Sequence, residues 1–159
     1  MSIEPVAVDF KKIVPYAKIP EYADADAAGL DLFACIQQTY NNGYSAGVKD
    51  YYYIFPGQRV LISTGIAFEI ERGFYGKIFD RSGMAYKNGL ITAAGVIDSN
   101  YRGEVFVLVC NNTESNILIS HHQKIAQIVF QKYYRAELNE VEKLSETIRG
   151  NKGFGSTGK

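Results

Sequence analysis

Tryptophan is absent, and methionine, histidine and cysteine occur only twice each. Two cysteines make no disulfide framework. Cys35 lies in the apolar run LDLFAC and Cys110 in VFVLVCN, so both are expected as reduced, buried thiols. The two histidines are neighbours, His121 and His122, and there is no G-x-S-x-G elbow, which argues against serine-based nucleophilic catalysis. Neither sign of charge is in excess: 17 basic residues cancel 17 acidic ones. No global field therefore draws the chain to nucleic acid or to an anionic membrane, although a local site can still hold a small anion. No apolar run approaches the roughly 18 residues of a membrane span, and no apolar leader opens the chain. The expected setting is cytoplasmic, or nuclear in a eukaryotic or viral host, and not secreted.

What the sequence does hold is β-structure. With 47% hydrophobic and 13% aromatic residues over 159 positions, one domain with its own core is expected. The dominant period is two. VAVDF (6–10), LDLFACI (30–36), YYYIF (51–55), RVLIST (59–64), IAFEI (66–70), FYGKIF (74–79), GEVFVLVC (103–110), NILIS (116–120) and IAQIVF (125–130) read as short strands between Gly, Asn or Pro turns. Frequent strands with almost no helix between them indicate an antiparallel β-sandwich or barrel. SGMAYKN (82–88) is the one compact helix candidate. ELNEVEKLSE (137–146) is weakly helical, with Leu138, Val141 and Leu144 at spacing three, and could equally be an extended strap. QQTYNNGYSAGVKD (37–50) reads as a long exposed loop or a protruding hairpin.

Five runs carry groups suited to chemistry. In AAGLDLFA (27–34), Asp31 interrupts an apolar strand and needs a partner, or else sits on the strand's outward face. In FDRSGMAYKNG (79–89), Arg81, Ser82 and the amide of Gly83 open the helix, an arrangement suited to an anion. GVIDSNYRGEVFV (95–107) reads as a hairpin whose tip gathers Asp98, Tyr101 and Arg102. There the carboxylate can accept a proton from a water, and the ring can stack on a sugar or base. In QKIAQIVF (123–130), the amide of Gln127 serves either an internal hydrogen bond or a ligand. The last run, RGNKGFGSTGK (149–159), ends in G-x-x-x-x-G-K like a phosphate loop, but without the Ser or Thr and the helix that would follow. Arg149 can fork onto a phosphate, Ser156 and Thr157 can donate hydroxyl hydrogen bonds, Gly155 lets backbone approach, and Phe154 can stack.

Taken in order, AGLDL, DRSGMA, GVIDSNYRG, KIAQIVF and RGNKGFGSTGK resemble the five motifs of the trimeric dUTPase family. The resemblance implies a jelly-roll-like β-sandwich over 1–148, with a flexible arm over 149–159 closing on the site. It implies hydrolysis of dUTP to dUMP and pyrophosphate with Mg²⁺, in a homotrimer with shared active sites. In that reaction Asp98 matches the general base, and Asp31 the carboxylate that touches the metal through water. Arg81, Ser82, Gly83 and Gln127 match phosphate contacts. Thr92, Val96, Ile97 and Phe106 match the hairpin that reads uracil, and Tyr101 the ring under the deoxyribose. Arg149, Phe154, Gly155, Ser156 and Thr157 match the closing arm. Such enzymes keep uracil out of DNA and supply dUMP for dTMP synthesis.

Three departures stand out. Asp80 replaces the usual Pro or Gly and is expected to put a negative charge beside the phosphate site. Asn100 replaces the second acid of D-x-D-Y. His122, Gln123 and Lys124 replace a G-D/E-R turn. Alternatives at this level are a dCTP deaminase-like or bifunctional enzyme, with Glu104 as its only candidate proton shuttle, or a non-catalytic β-sandwich binding module.

Overall fold

The computed structural model describes residues 5–39 and 45–151. Fourteen strands and one helix follow in order: β1 (Val8–Lys12), β2 (Glu21–Tyr22), β3 (Leu30–Phe33), β4 (Gln37–Thr39), β5 (Ser45–Val48), β6 (Tyr51–Ile54), β7 (Arg59–Ser63), β8 (Ile66–Ile70), β9 (Phe74–Phe79), α1 (Ser82–Asn88), β10 (Leu90–Ala93), β11 (Val96–Ile97), β12 (Phe106–Asn111), β13 (Ile117–Ser120) and β14 (Lys124–Lys132). Every pairing is antiparallel. The largest sheet runs β11-β9-β14-β3-β2 and a second runs β10-β12-β7, with β1-β8, β13-β6 and β4-β5 as two-stranded ribbons. The result is a jelly-roll-like sandwich, as the strand pattern and the family resemblance both require.

Period-two alternation sends Val107, Val109 and Asn111 of β12 inward and leaves Phe106, Leu108 and Cys110 on the other face. The inward side chains join Leu32, Ile54, Ile62, Ile66, Ile119, Ile125 and Ile128 in one core. Asn111 is the polar exception. Its amide donates to Ile54 O at 2.9 Å and Ser115 O at 2.8 Å, and its oxygen accepts from Thr113 N and Oγ1, so its burial leaves nothing unpaired.

The outer face of β10-β12-β7 is apolar yet uncovered. Leu61, Phe106 and Ile91 are 61%, 40% and 37% exposed. Register places Leu108 opposite Leu61 and Ile91 opposite Cys110 on this face.

Helix α1 is anchored by buried Met84 and stops at Gly89, whose φ of 61° is left-handed. A Cβ at Gly89 would lie 2.2 Å from Thr113 Cγ2, so glycine is required there on two counts. Within 37–50, β4 and β5 pair antiparallel: Gln37 with Val48, and Gln38 with Gly47. The segment 133–147 is neither helix nor strand, and Leu138, Val141 and Leu144 are 91%, 57% and 80% exposed. Ten residues make too short a helix to stand without a surface to bury its stripe.

Candidate active site

Three of the five runs converge inside one chain. Strand β14 lies between β3 and β9, and its register sets Gln127 opposite Asp31 on one side and Phe79 on the other. Asp31 is buried, 4% exposed, on the side of the sheet away from Leu32. Its Oδ1 accepts from Arg81 Nε at 2.8 Å and its Oδ2 lies 2.7 Å from Lys124 Nζ. Lys124 also reaches Glu21 Oε1 at 3.5 Å. Lys124's ammonium is held charged to higher pH than usual, first by the hydrogen bond to Asp31. Two cations, Arg81 and Lys124, thus share the Asp31 carboxylate, with Glu21 on the far side of Lys124.

Gln127 donates from Nε2 to Asp80 O at 2.8 Å, bracing the turn that carries Arg81, Ser82 and Gly83. Ser82 and Gly83 are exposed at the start of α1. Gly29 closes the other side. A Cβ there would stand 2.7 Å from Gln127 Oε1, so only glycine lets the amide lie as it does. Asp80 Oδ1 accepts the Thr92 N–H. That bond occupies the Thr92 amide expected to read uracil.

The turn at 121–124 takes a left-handed residue without glycine. His122 adopts φ 61°, its Nε2 donates to Tyr16 O at 2.8 Å, and its ring lies 3.8 Å from that of His121. His121 Nδ1 accepts the Ile36 N–H at 3.0 Å; burial, then the neighbouring His122, holds its pKa below the usual histidine value.

Asp98 and Tyr101 lie elsewhere. Val96 pairs with Lys77 and Ile97 with Gly76, so Asp98 sits level with Tyr75, four steps along β9 from the Phe79–Gln127–Asp31 row. It is also on the far side of the sheet, since β11 and β3 are separated by β9 and β14. With rises of ~3.3 Å per residue and spacings of ~4.8 Å per strand, Asp98 and Asp31 are about 20 Å apart. That is too far to meet on one phosphate.

Asp98 is exposed in a cleft of about 1140 Å³ shared with Glu69, Arg72, Tyr75, Arg102 and Arg135. Arg102 braces the tip, donating from Nη1 to Ser99 O at 2.7 Å and from Nη2 to Glu69 Oε1 at 2.9 Å. Tyr101 donates its hydroxyl to Glu104 O at 2.8 Å. Val96 and Phe106 are exposed and Ile97 is half-buried. Arg149 is exposed near the end of the described chain, and Phe154, Gly155, Ser156 and Thr157 lie outside the described residues.

Among the described residues no group of three or more His, Cys, Asp or Glu is placed to hold a metal. Nor is any helix long and apolar enough to cross a membrane. Asp31, with each oxygen already paired to a cation, fits a contact through water and not an inner-sphere ligand. The contacts made by Lys124, Gly29 and Arg102 had no separate signal in the sequence. Lys124 was visible only as a departure from a motif, and Gly29 only as part of one.

Fold and site together define a jelly-roll protein with an Arg81–Asp31–Lys124 ion-pair cluster at one end of its main sheet and a carboxylate-tipped turn at the other. The dUTPase family model matches residues 35–158. The deoxyuridine 5'-triphosphate nucleotidohydrolase of Nautilia profundicola is 44% identical over 151 residues, 94% of this chain and 96% of that protein. That of Avian adenovirus 8 is 41% identical over 154 residues, covering 97% and 86%. Among solved structures, a mutant dUTPase of Staphylococcus bacteriophage 80alpha with dUpNHpp matches with a TM-score of 0.81 at 24% identity, over 96% of this chain and 98% of that one. A mutant dUTPase from phage phi11 of S. aureus, described with a structural Mg(II) ion, matches at 0.73 and 21%, over 88% and 99%. The chain belongs to the dUTPase family.

Proposed function

We propose that the protein hydrolyses dUTP to dUMP and pyrophosphate at a site completed by a second copy of the chain. The observation that carries this is the separation of Asp98 from the Asp31–Arg81–Gln127 cluster by about 20 Å within one chain. Both parts match the same reaction, so they act together only across an interface. The uncovered apolar face of β10-β12-β7 supports association between chains, and the family resemblance makes that assembly a homotrimer.

In this reading Arg81 and Gln127, with Ser82 and Gly83 at the turn, hold the phosphate chain of the nucleotide. Asp31 keeps the guanidinium of Arg81 in place through Nε. Tyr101 lies under the deoxyribose, and Val96, Ile97 and Phe106 read the uracil, with Thr92 limited to its carbonyl because Asp80 holds its N–H. Asp98 from another chain takes the proton of a water as that water's oxygen attacks the α-phosphorus. The bond from the α-phosphorus to the bridging oxygen breaks, and pyrophosphate leaves with the electron pair. Asp31 would hold the waters of a Mg²⁺ bound with the triphosphate, and the ion would supply charge neutralisation at the phosphate oxygens. Arg149, together with Phe154, Gly155, Ser156 and Thr157 from outside the described residues, contributes contacts to the bound nucleotide beyond a body of residues 1–148. The free thiols Cys35 and Cys110 suit a cytoplasmic or nuclear setting, where the enzyme removes dUTP ahead of DNA synthesis and supplies dUMP.

The deaminase alternative depends on Glu104, whose Oε1 is engaged by Gly65 N–H and Ser63 Oγ. Pyrophosphate release measured with dUTP, dCTP and UTP separates the readings. The expected result is fast release from dUTP alone. Ammonia release from dCTP would favour a deaminase, and inertness toward all three would favour a binding module.

A further inference from the structure

We infer that Glu104 is a positioning residue that fixes the Tyr101 ring, and with it the selection of deoxyribose over ribose, from the corner where β7 turns into β8. The inference rests on the reading of Tyr101 as the sugar platform. The ring is placed by two contacts. Its hydroxyl donates to the carbonyl of Glu104 at 2.8 Å, and the hydroxyl end of the ring lies so close to Gly103 that a Cβ there would come within 2.6 Å of the hydroxyl oxygen and 2.7 Å of Cζ. The position of the ring is therefore the position of the 103–104 backbone.

That backbone belongs to no strand, since residues 98–105 lie between β11 and β12. What holds it is the corner Ser63–Ile66. Glu104 Oε1 accepts the Gly65 N–H at 2.7 Å and also the Ser63 hydroxyl. Next to it, Val105 N donates to Ile66 O at 2.8 Å and Thr64 Oγ1 donates to Val105 O at 2.6 Å. A carboxylate accepting two such bonds holds them more tightly than a neutral acceptor would. The corner is itself rigid. Gly65 has φ +67°, and a Cβ there would lie 2.6 Å from that of Ala17. Ser63 Oγ in turn accepts from Gln37 Nε2 at 3.0 Å, tying β4 into the same line of bonds.

Removing the carboxylate frees the 103–104 backbone on one side and lets the ring draw back by a fraction of an ångström. A 2′-hydroxyl needs about that much room. Selectivity, not chemistry, should pay the penalty.

The test compares kcat/KM for dUTP and UTP in the full-length protein. Glu104→Ala should lower the dUTP:UTP ratio about tenfold or more, through a rise for UTP and a higher KM for dUTP, with kcat for dUTP little changed. Glu104→Gln, which keeps an acceptor oxygen at the same place, should restore most of the ratio. Ser63→Ala, which removes one of the two donors, should shift it in the same direction by less. In a Tyr101→Phe background, where the hydroxyl tie is already gone, Glu104→Ala should add little. An unchanged ratio in Glu104→Ala would overturn the inference, as would full additivity with Tyr101→Phe. If Glu104→Ala does not fold, an unchanged ratio in Ser63→Ala overturns it instead. A wild-type protein that does not hydrolyse dUTP would refute the proposed function itself, a separate result.

Discussion

Arg81 donates from Nε to Oδ1 of Asp31 at 2.8 Å, so this ion pair uses the inner nitrogen of the guanidinium and not its two terminal ones. A planar fork pinned in this way is oriented before any phosphate arrives. Arg81→Lys keeps the charge but loses both the fork and the pin, and should raise KM for dUTP about tenfold with a smaller loss in kcat. Steady-state kinetics check this, with thermal melting as the control that the fold is kept.

Asp31 is the counter-charge for both Arg81 and Lys124. Asp31→Asn should cost about 2 kcal/mol of stability, less than the loss for a fully buried pair because both cations reach solvent. Urea unfolding measures it. Lys124→Met should cost less, since Arg81 remains beside the carboxylate.

Gly29→Ala places a methyl 2.7 Å from the present position of Gln127 Oε1. The amide must swing away, giving up its bond to Asp80 O and its place beside the phosphate cluster. KM should rise severalfold, while melting shifts by only a few degrees because the displaced atom ends a flexible side chain. A crystal structure of the variant would show the moved amide.

Cys35 and His121 shape the pH dependence of stability in opposite senses. Burial, then the nearby Glu104 carboxylate, pushes the Cys35 thiol up from 9.0 to about 11. The folded state then holds a proton that the unfolded chain releases first, so stability falls as pH rises from about 9 to about 11. His121 has the opposite sense. Its pKa is lowered by burial and by His122, against the raising effect of Asp50, so the unfolded chain takes up a proton first and stability falls as pH drops below 6.5. Cys35→Ala should flatten the alkaline limb in a pH series of urea midpoints. Cys35 should also resist alkylation at pH 8 until the protein unfolds.

The strands with strong alternation were legible in the sequence. IAFEI and FYGKIF fall on β8 and β9, and SGMAYKN falls on α1. Strands β2 and β11, two residues each, have no room for a pattern, and Glu21 and Tyr22 are both exposed. Asp31 looked outward by alternation with Leu30 and Leu32. Its burial comes from Arg81 and Lys124, 50 and 93 positions along the chain, which no local pattern reports. The bond from the Thr92 N–H to the Asp80 carboxylate joins residues 12 positions apart and was likewise not legible in any local pattern. The motifs named the parts of the site; only strand register shows that one chain holds them apart.

Chain mixing tests that separation most directly. Asp98→Asn alone should lower kcat by roughly 10² to 10⁴, and Arg81→Ala alone should also be nearly inactive. Unfolding the two variants together and refolding them in equal amounts should return activity to about a quarter of wild type, because about one site in four then draws Asp98 and Arg81 from intact chains. Activity no higher than the mean of the two separate variants would contradict a site shared between chains.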